Sequence, residues 1–96
     1  MKIYLSGSIK HDPNYVKKFA KWQEELELKD IWDEVVNPVT ITAHQPDFGY
    51  HDFMREDIRA MLDCTHIAFI PGWEQSTGAR VELTVAVAIG IKIVFL

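Results

Sequence analysis

Residues 66–96 read HIAFIPGWEQSTGARVELTVAVAIGIKIVFL, and this stretch decides the fold class. His66-Ile67-Ala68-Phe69-Ile70 is an apolar run of strand length, broken by Pro71-Gly72. A helix is expected from about Thr77 to Ile89, ending at Gly90, the residue best suited to the left-handed turn after a helix. Ile91 to Leu96 closes the stretch as a second strand. A strand, a helix and a strand in that order form a β-α-β unit, which pairs its strands in parallel.

Working outward, the same alternation continues to the start of the chain. Residues 50–63 show helical spacing through Phe53, Met54, Ile58, Met61 and Leu62. Residues 38–49 lack periodicity and hold two prolines and a glycine, so a long loop is expected, and long loops are often functional. Val35-Val36 is the heart of a short strand closed by Asn37-Pro38. Val16, Phe19, Trp22 and Leu26 mark residues 13–29 as an amphipathic helix, with Asp12 as its N-cap and Pro13 at its first position. Lys2-Ile3-Tyr4-Leu5-Ser6 is a strand that stops at Gly7. The order β-α-β-α-β-α-β predicts an α/β fold, a small doubly wound (flavodoxin- or Rossmann-like) parallel sheet with right-handed crossovers and helices on both faces. Ligands of such sheets sit beyond the carboxyl ends of the strands. Ser6-Gly7-Ser8, Asn37-Pro38-Val39, and Pro71-Gly72-Trp73 running into Ser76-Thr77-Gly78 are expected to meet there.

Composition narrows the class. With 96 residues the chain is expected to be one domain, 1–96, and its 48% hydrophobic content supports a packed core. A net charge of −4 lacks the basic face that general nucleic-acid binding needs. A single cysteine, Cys64, leaves no internal disulfide and no cysteine zinc cage, which fits a reducing, cytoplasmic setting. No secretory signal pattern opens the chain. The longest apolar stretch, Val81 to Leu96, is interrupted by Glu82, Thr84 and Lys92, and is too short and too polar to cross a bilayer. His44, His51 and His66 lack ligand spacing, so neither a metal nor a cofactor is expected.

Two acids stand where apolar residues belong. On the helix from Tyr50, Asp57 falls angularly between Phe53 and Met61, whereas Asp52, Glu56 and Asp63 lie opposite. On the last helix, Glu82 projects near Val85, Ala86 and Ile89 and is the only acid after residue 74. A carboxylate on an apolar face must be hydrogen-bonded, paired or protonated. A buried partner would satisfy each of them alone, but two near one sheet edge point to chemistry. Paired carboxylates are what displacement at a sugar carbon requires. Ser76-Thr77-Gly78-Ala79 opens the last helix with small residues, which suits a phosphate as well as a plain cap. Ser6-Gly7-Ser8 reads equally as a tight turn or as a contact for sugar or phosphate, and Trp73 as core or as a surface for base stacking.

Ile3-Tyr4-Leu5-Ser6-Gly7-Ser8-Ile9, Glu56-Asp57-Ile58 with Met61-Leu62, and Ser76 to Leu83 together resemble the nucleoside 2-deoxyribosyltransferase-like family. Pro71 to Ala79 looks like a branch of small uncharacterised proteins within it, the domain of unknown function 4406 kind, frequent in phages and bacteria. The resemblance implies Glu82 as the nucleophile at the anomeric carbon, Asp57 as the acid that helps the base leave, and Tyr4 as the residue that orients nucleophile and ribose. Gly7, Ser8, Trp73, Thr77 and Gly78 would line the substrate. Ser76 stands where members that hydrolyse nucleoside monophosphates carry serine against the phosphate, and where transferases of free nucleosides carry aspartate. Thr65 stands where the family usually has aspartate. Family enzymes also complete the site with a residue lent by a neighbouring subunit's C-terminal segment, whereas this sequence stops at Leu96, implying a more open pocket or binding without catalysis.

The expected activity is N-glycosidic: hydrolysis of a nucleoside 5′-monophosphate, or deoxyribosyl transfer. The alternative is a non-catalytic module that captures a nucleotide or nucleotide-like signal. The expected partners are a small nucleoside or nucleotide and a second copy of the chain, as a homodimer or dimer of dimers, with no nucleic acid and no membrane. The helix from Tyr50, presenting Met54, Ile58, Met61 and Leu62, is the expected subunit contact.

Overall fold

A computed structural model describes residues 1–10, 12–41 and 47–96. Its elements are β1 (Lys2–Ser6), α1 (Tyr15–Glu27), β2 (Glu34–Val36), α2 (Pro38–Ile41), α3 (Tyr50–Leu62), β3 (His66–Phe69), a 3-10 turn (Trp73–Gln75), α4 (Thr77–Ile89) and β4 (Lys92–Phe95). The strands form one sheet in the order β2-β1-β3-β4, and every pairing is parallel. This is the α/β, doubly wound arrangement that the alternation predicts.

β1 sits inside the sheet, so both of its faces are covered. Ile3 and Leu5 point to one core, with Phe19 and Leu26 of α1. Tyr4 points to the other, with Met61 of α3 and Ala79 and Ala86 of α4. Because strand side chains alternate, Ser6 falls on the Tyr4 side. The chain leaves β1 for β2 on one side and later reaches β3 on the other, so the order reverses between β1 and β3. Their carboxyl ends are tied by the Ile70 N–H, which donates to the Ser6 carbonyl at 2.8 Å.

Two expectations about element bounds are corrected. The first helix begins at Tyr15 rather than Pro13, and Asp12 does not cap it. The Asp12 carboxylate instead accepts the Asn14 N–H at 2.9 Å and pairs with Lys18 at 2.6 Å, closing a turn that holds Pro13 ahead of the helix. The expected loop over 38–49 starts with α2: Asn37 accepts the Val39 N–H at 3.0 Å and Pro38 follows it, a favourable helix start. Residues 42–46, with His44, lie outside the described residues. The α3 face expected at a subunit contact is largely used within the chain. Met61 is fully buried, Ile58 packs on the core, and Met54 lies against Gly78; of the four, only Leu62 is exposed. Val16, read as part of the α1 apolar face, is also exposed; α1 meets the core through Tyr15, Phe19, Trp22 and Leu26.

Two glycines permit close approaches of unequal rigidity. A Cβ at Gly7 would lie 3.1 Å from the Ile70 Cβ, an atom fixed to the backbone just past β3. At Gly78 it would meet the Met54 sulfur at 3.2 Å, the end of a flexible side chain. Gly7→Ala is therefore expected to cost about 1–3 kcal/mol by overpacking. Gly78→Ala should fall within about 1 kcal/mol of wild type, because gained helix propensity offsets the crowding. Urea unfolding of the two variants checks this, and equal losses would contradict it.

Candidate functional site

α4 places Glu82 on the same inward face as Ala79 and Ala86, and the residue is only 5% exposed. Both carboxylate oxygens are engaged. The Tyr4 hydroxyl donates to Oε2 at 2.7 Å, and the Ser6 hydroxyl donates to Oε1 at 2.7 Å. The two donors come from one strand two residues apart, a spacing of about 7 Å on one face of the sheet, with the acid bridging them. Burial pushes the Glu82 carboxyl up to about 7, and the two hydroxyl bonds oppose that rise. Tyr4 is raised well above the ordinary phenol, by burial first and then by the negative charge of Glu82, so it stays a donor.

Asp57 comes to the same place from α3. It is half-buried, and its Oδ1 is buried with no hydrogen-bond partner among the described residues. Burial raises its carboxyl to about 7, and the charges of Glu82 and Glu56 add to the rise. The two acids therefore differ in their support. Glu82 has two donors that favour its anion, and Asp57 has an orphan oxygen that favours its protonated form.

The Ser76 hydroxyl caps α4, accepting the Ala79 N–H at 3.1 Å. Thr77 and Gly78, the first two helical positions, carry amides that an α-helix cannot satisfy from within. Gly7 and Ser8 lead away from Ser6 to a cleft of about 640 Å³ between α1 and the ends of β1 and β3. Its walls include Ser8, Lys18, Phe19, Gly72 and Gln75. Tyr4, Asp57 and Glu82 are thus brought together on one side of the sheet edge, and Ser8 faces the cleft on the other. Trp73 joins neither. It packs on Phe69 at 5.0 Å between ring centres and stacks on Phe95 at 5.7 Å, out on the flank of α4. In the segment before α3, Phe48 packs edge-on against Phe53. Arg59 is held by Glu56 at 2.9 Å.

Ser6, read with Gly7 and Ser8 as a turn or a contact for sugar or phosphate, instead serves as a donor to Glu82. Its signal is the two-residue alternation from Tyr4, which puts its hydroxyl on the same face. Lys18 and Gln75 carry no such signal, because only the chain path over the sheet edge brings them to the cleft. Among the described residues, no group of three His, Cys, Asp or Glu could hold a metal ion, and no helix is long and apolar enough to cross a membrane.

The raised carboxyls make stability depend on pH. A carboxyl with a higher pKa folded than unfolded binds protons better in the folded state, so its contribution is present at low pH and lost as pH rises. For Asp57 the window runs from its ordinary 3.8 to about 7. Above that window, Asp57→Asn should raise the unfolding free energy, by about 4 kcal/mol at most. Below it the variant should match wild type. Urea unfolding on either side of the window decides, and a gain independent of pH would show that Asp57 is not the group responsible.

No curated protein and no solved structure matches the chain. A family match does cover it almost end to end, over residues 1–95, and the chain belongs to that family, Domain of unknown function (DUF4406).

Proposed function

We propose that the protein cleaves the N-glycosidic bond of a nucleoside 5′-monophosphate, with Glu82 as nucleophile and Asp57 as acid and then base. The observation that carries this reading is the buried Glu82 carboxylate, clasped by the Tyr4 and Ser6 hydroxyls, with Asp57 close enough to feel its charge. The likeness of Tyr4, Asp57, Ser76 and Glu82 to nucleoside 2-deoxyribosyltransferase-like enzymes supports it.

In the first step, a Glu82 oxygen forms a bond to C1′ as the C1′–N bond breaks, and the proton of Asp57 goes to the departing base. In the second, water attacks C1′, its proton passes to Asp57, and the ester bond to Glu82 breaks. The sum is nucleotide plus water to free base plus sugar phosphate. A second base in place of water gives transfer. The two hydroxyls favour the Glu82 anion in a site that otherwise disfavours it, and the orphan oxygen of Asp57 keeps a proton available near neutral pH. The 5′-phosphate would lie at the start of α4, where free amides and the positive helix end favour an anion.

A second reading, capture of the nucleotide without chemistry, draws on the same burial. At 5% exposure Glu82 offers little surface to a substrate. Incubation with nucleosides and with nucleoside monophosphates, followed by chromatography of free base, separates the two. Base release is expected from monophosphates in preference to nucleosides. Glu82→Gln should abolish it, and Asp57→Asn should slow it by about 10²- to 10⁴-fold, with circular dichroism unchanged in both. Ser76→Asp should turn the preference toward nucleosides by charge repulsion. Monophosphate bound in equilibrium dialysis with no base released would favour capture, and base release by Glu82→Gln at the wild-type rate would remove the nucleophile assignment.

A further inference from the structure

The cleft of about 640 Å³ has no part in the cluster around Glu82, yet it opens where the strand order reverses, the usual ligand crevice of such sheets. Its polar groups are mostly donors. The Ser8 hydroxyl and the Gln75 amide make no hydrogen bond among the described residues, and the backbone amides of Ser8 and Gly72 make none. Lys18 brings a charge. Its ammonium gives one proton to Asp12 at 2.6 Å and keeps two. The acid in the wall is Asp12, and both of its oxygens are taken, one by Lys18 and one by the Asn14 N–H. α1 opens beside the cleft with no acid in its first turn and no side-chain cap on its first amides, so its positive end adds to the field. Donors without acceptors, a cation and a positive helix end suit an acceptor-rich anion.

Resting on the reading above for the sugar and the first phosphate, we propose that this cleft takes a second phosphate, so that the substrate class is a nucleoside 5′-diphosphate or its ester. Chain continuity joins the two places. Gln75, in the cleft wall, directly precedes Ser76, whose hydroxyl caps α4 where the first phosphate would lie. Successive Cα atoms are about 3.8 Å apart. The two phosphates of a diphosphate share one bridging oxygen, so the second passes from the start of α4 into the cleft within about one residue's length. On the other wall, Ser8 stands two residues after Ser6, the donor to Glu82. The second phosphate would accept from the two free Lys18 protons, the Ser8 hydroxyl and the Ser8 and Gly72 amides. It would fill only part of the cleft. The buried Phe19 and Ile70 give the remainder an apolar floor, which suits the face of a sugar or base carried beyond the diphosphate.

The test uses the full chain, with the common ribo- and deoxyribonucleoside 5′-monophosphates and 5′-diphosphates as probes. Equilibrium dialysis in the cold reads binding, and chromatography reads free base. Diphosphates should bind at least about tenfold more tightly than monophosphates, the share of one hydrogen bond to a charged group. Lys18→Gln should abolish that preference and leave monophosphate binding nearly unchanged. Its circular dichroism should match wild type, because Lys18 lies on the exposed side of α1. Lys18→Arg, which keeps the charge, should retain most of the preference. A nucleoside diphosphate sugar should show the same dependence on Lys18. Equal binding of the two classes, or a preference that survives Lys18→Gln, overturns the second subsite, and base release from monophosphates would then leave the reading of Glu82 standing. A Lys18-dependent preference with no base released from either class supports the subsite and overturns the chemistry instead. Binding of neither class overturns both.

Discussion

A carboxylate sits inside the core, and two hydroxyls from a single strand hold it there. Glu82 joins Tyr4 across 78 residues and Ser6 across 76, so α4 is pinned to β1 by polar bonds as well as by apolar contact. Burying an ion costs several kcal/mol even after relaxation. Hydrogen bonds to a charged group return about 1.5–3 kcal/mol each, so two of them leave Glu82 near balance rather than strongly stabilising. An apolar residue would serve stability as well at this position. The clasp instead fixes the direction of one carboxylate at the sheet edge, and that orientation is what the proposed chemistry needs.

The contrast between the two acids follows from where their helices start. α4 begins beyond the carboxyl end of β3 and runs back under the edge, so a residue in its second turn lies over the hydroxyls of β1. α3 brings Asp57 to the same place, with Met61 one turn later buried in the core, and no donor reaches the inner oxygen of Asp57 among the described residues. One acid is supported as an anion and its neighbour is left wanting a proton. Such a division follows from backbone placement, and neither acid carries it in its own chemistry.

Most of the fold was legible because its signals are local. The helix at Thr77–Ile89 has its cap at Ser76 and its stop at Gly90, where φ is +80°, as the residue types suggest. The misreadings are also local, where two local rules compete. Asp12-Pro13 satisfies the rule for a helix start, yet the Asp12 carboxylate turned to the Asn14 amide and to Lys18, and the helix began two residues later. The stretch after Asn37 looked like a loop because four residues are too few to show a period, although Asn37 and Pro38 are good helix starters.

The sequence by itself determined the α/β class, the order of strands and helices, and the two acids on apolar faces, because helical and strand periods expose any residue on the wrong side. Only the tertiary structure decided what those acids touch. The Tyr4 and Ser6 hydroxyls lie more than seventy residues from Glu82, and no periodicity reaches across that distance. It likewise turned the apolar face of α3 inward and left Val81 and Val87 of α4 outside. Both helices lie against the same sheet face, and the crossover connections settle which residues of each meet it.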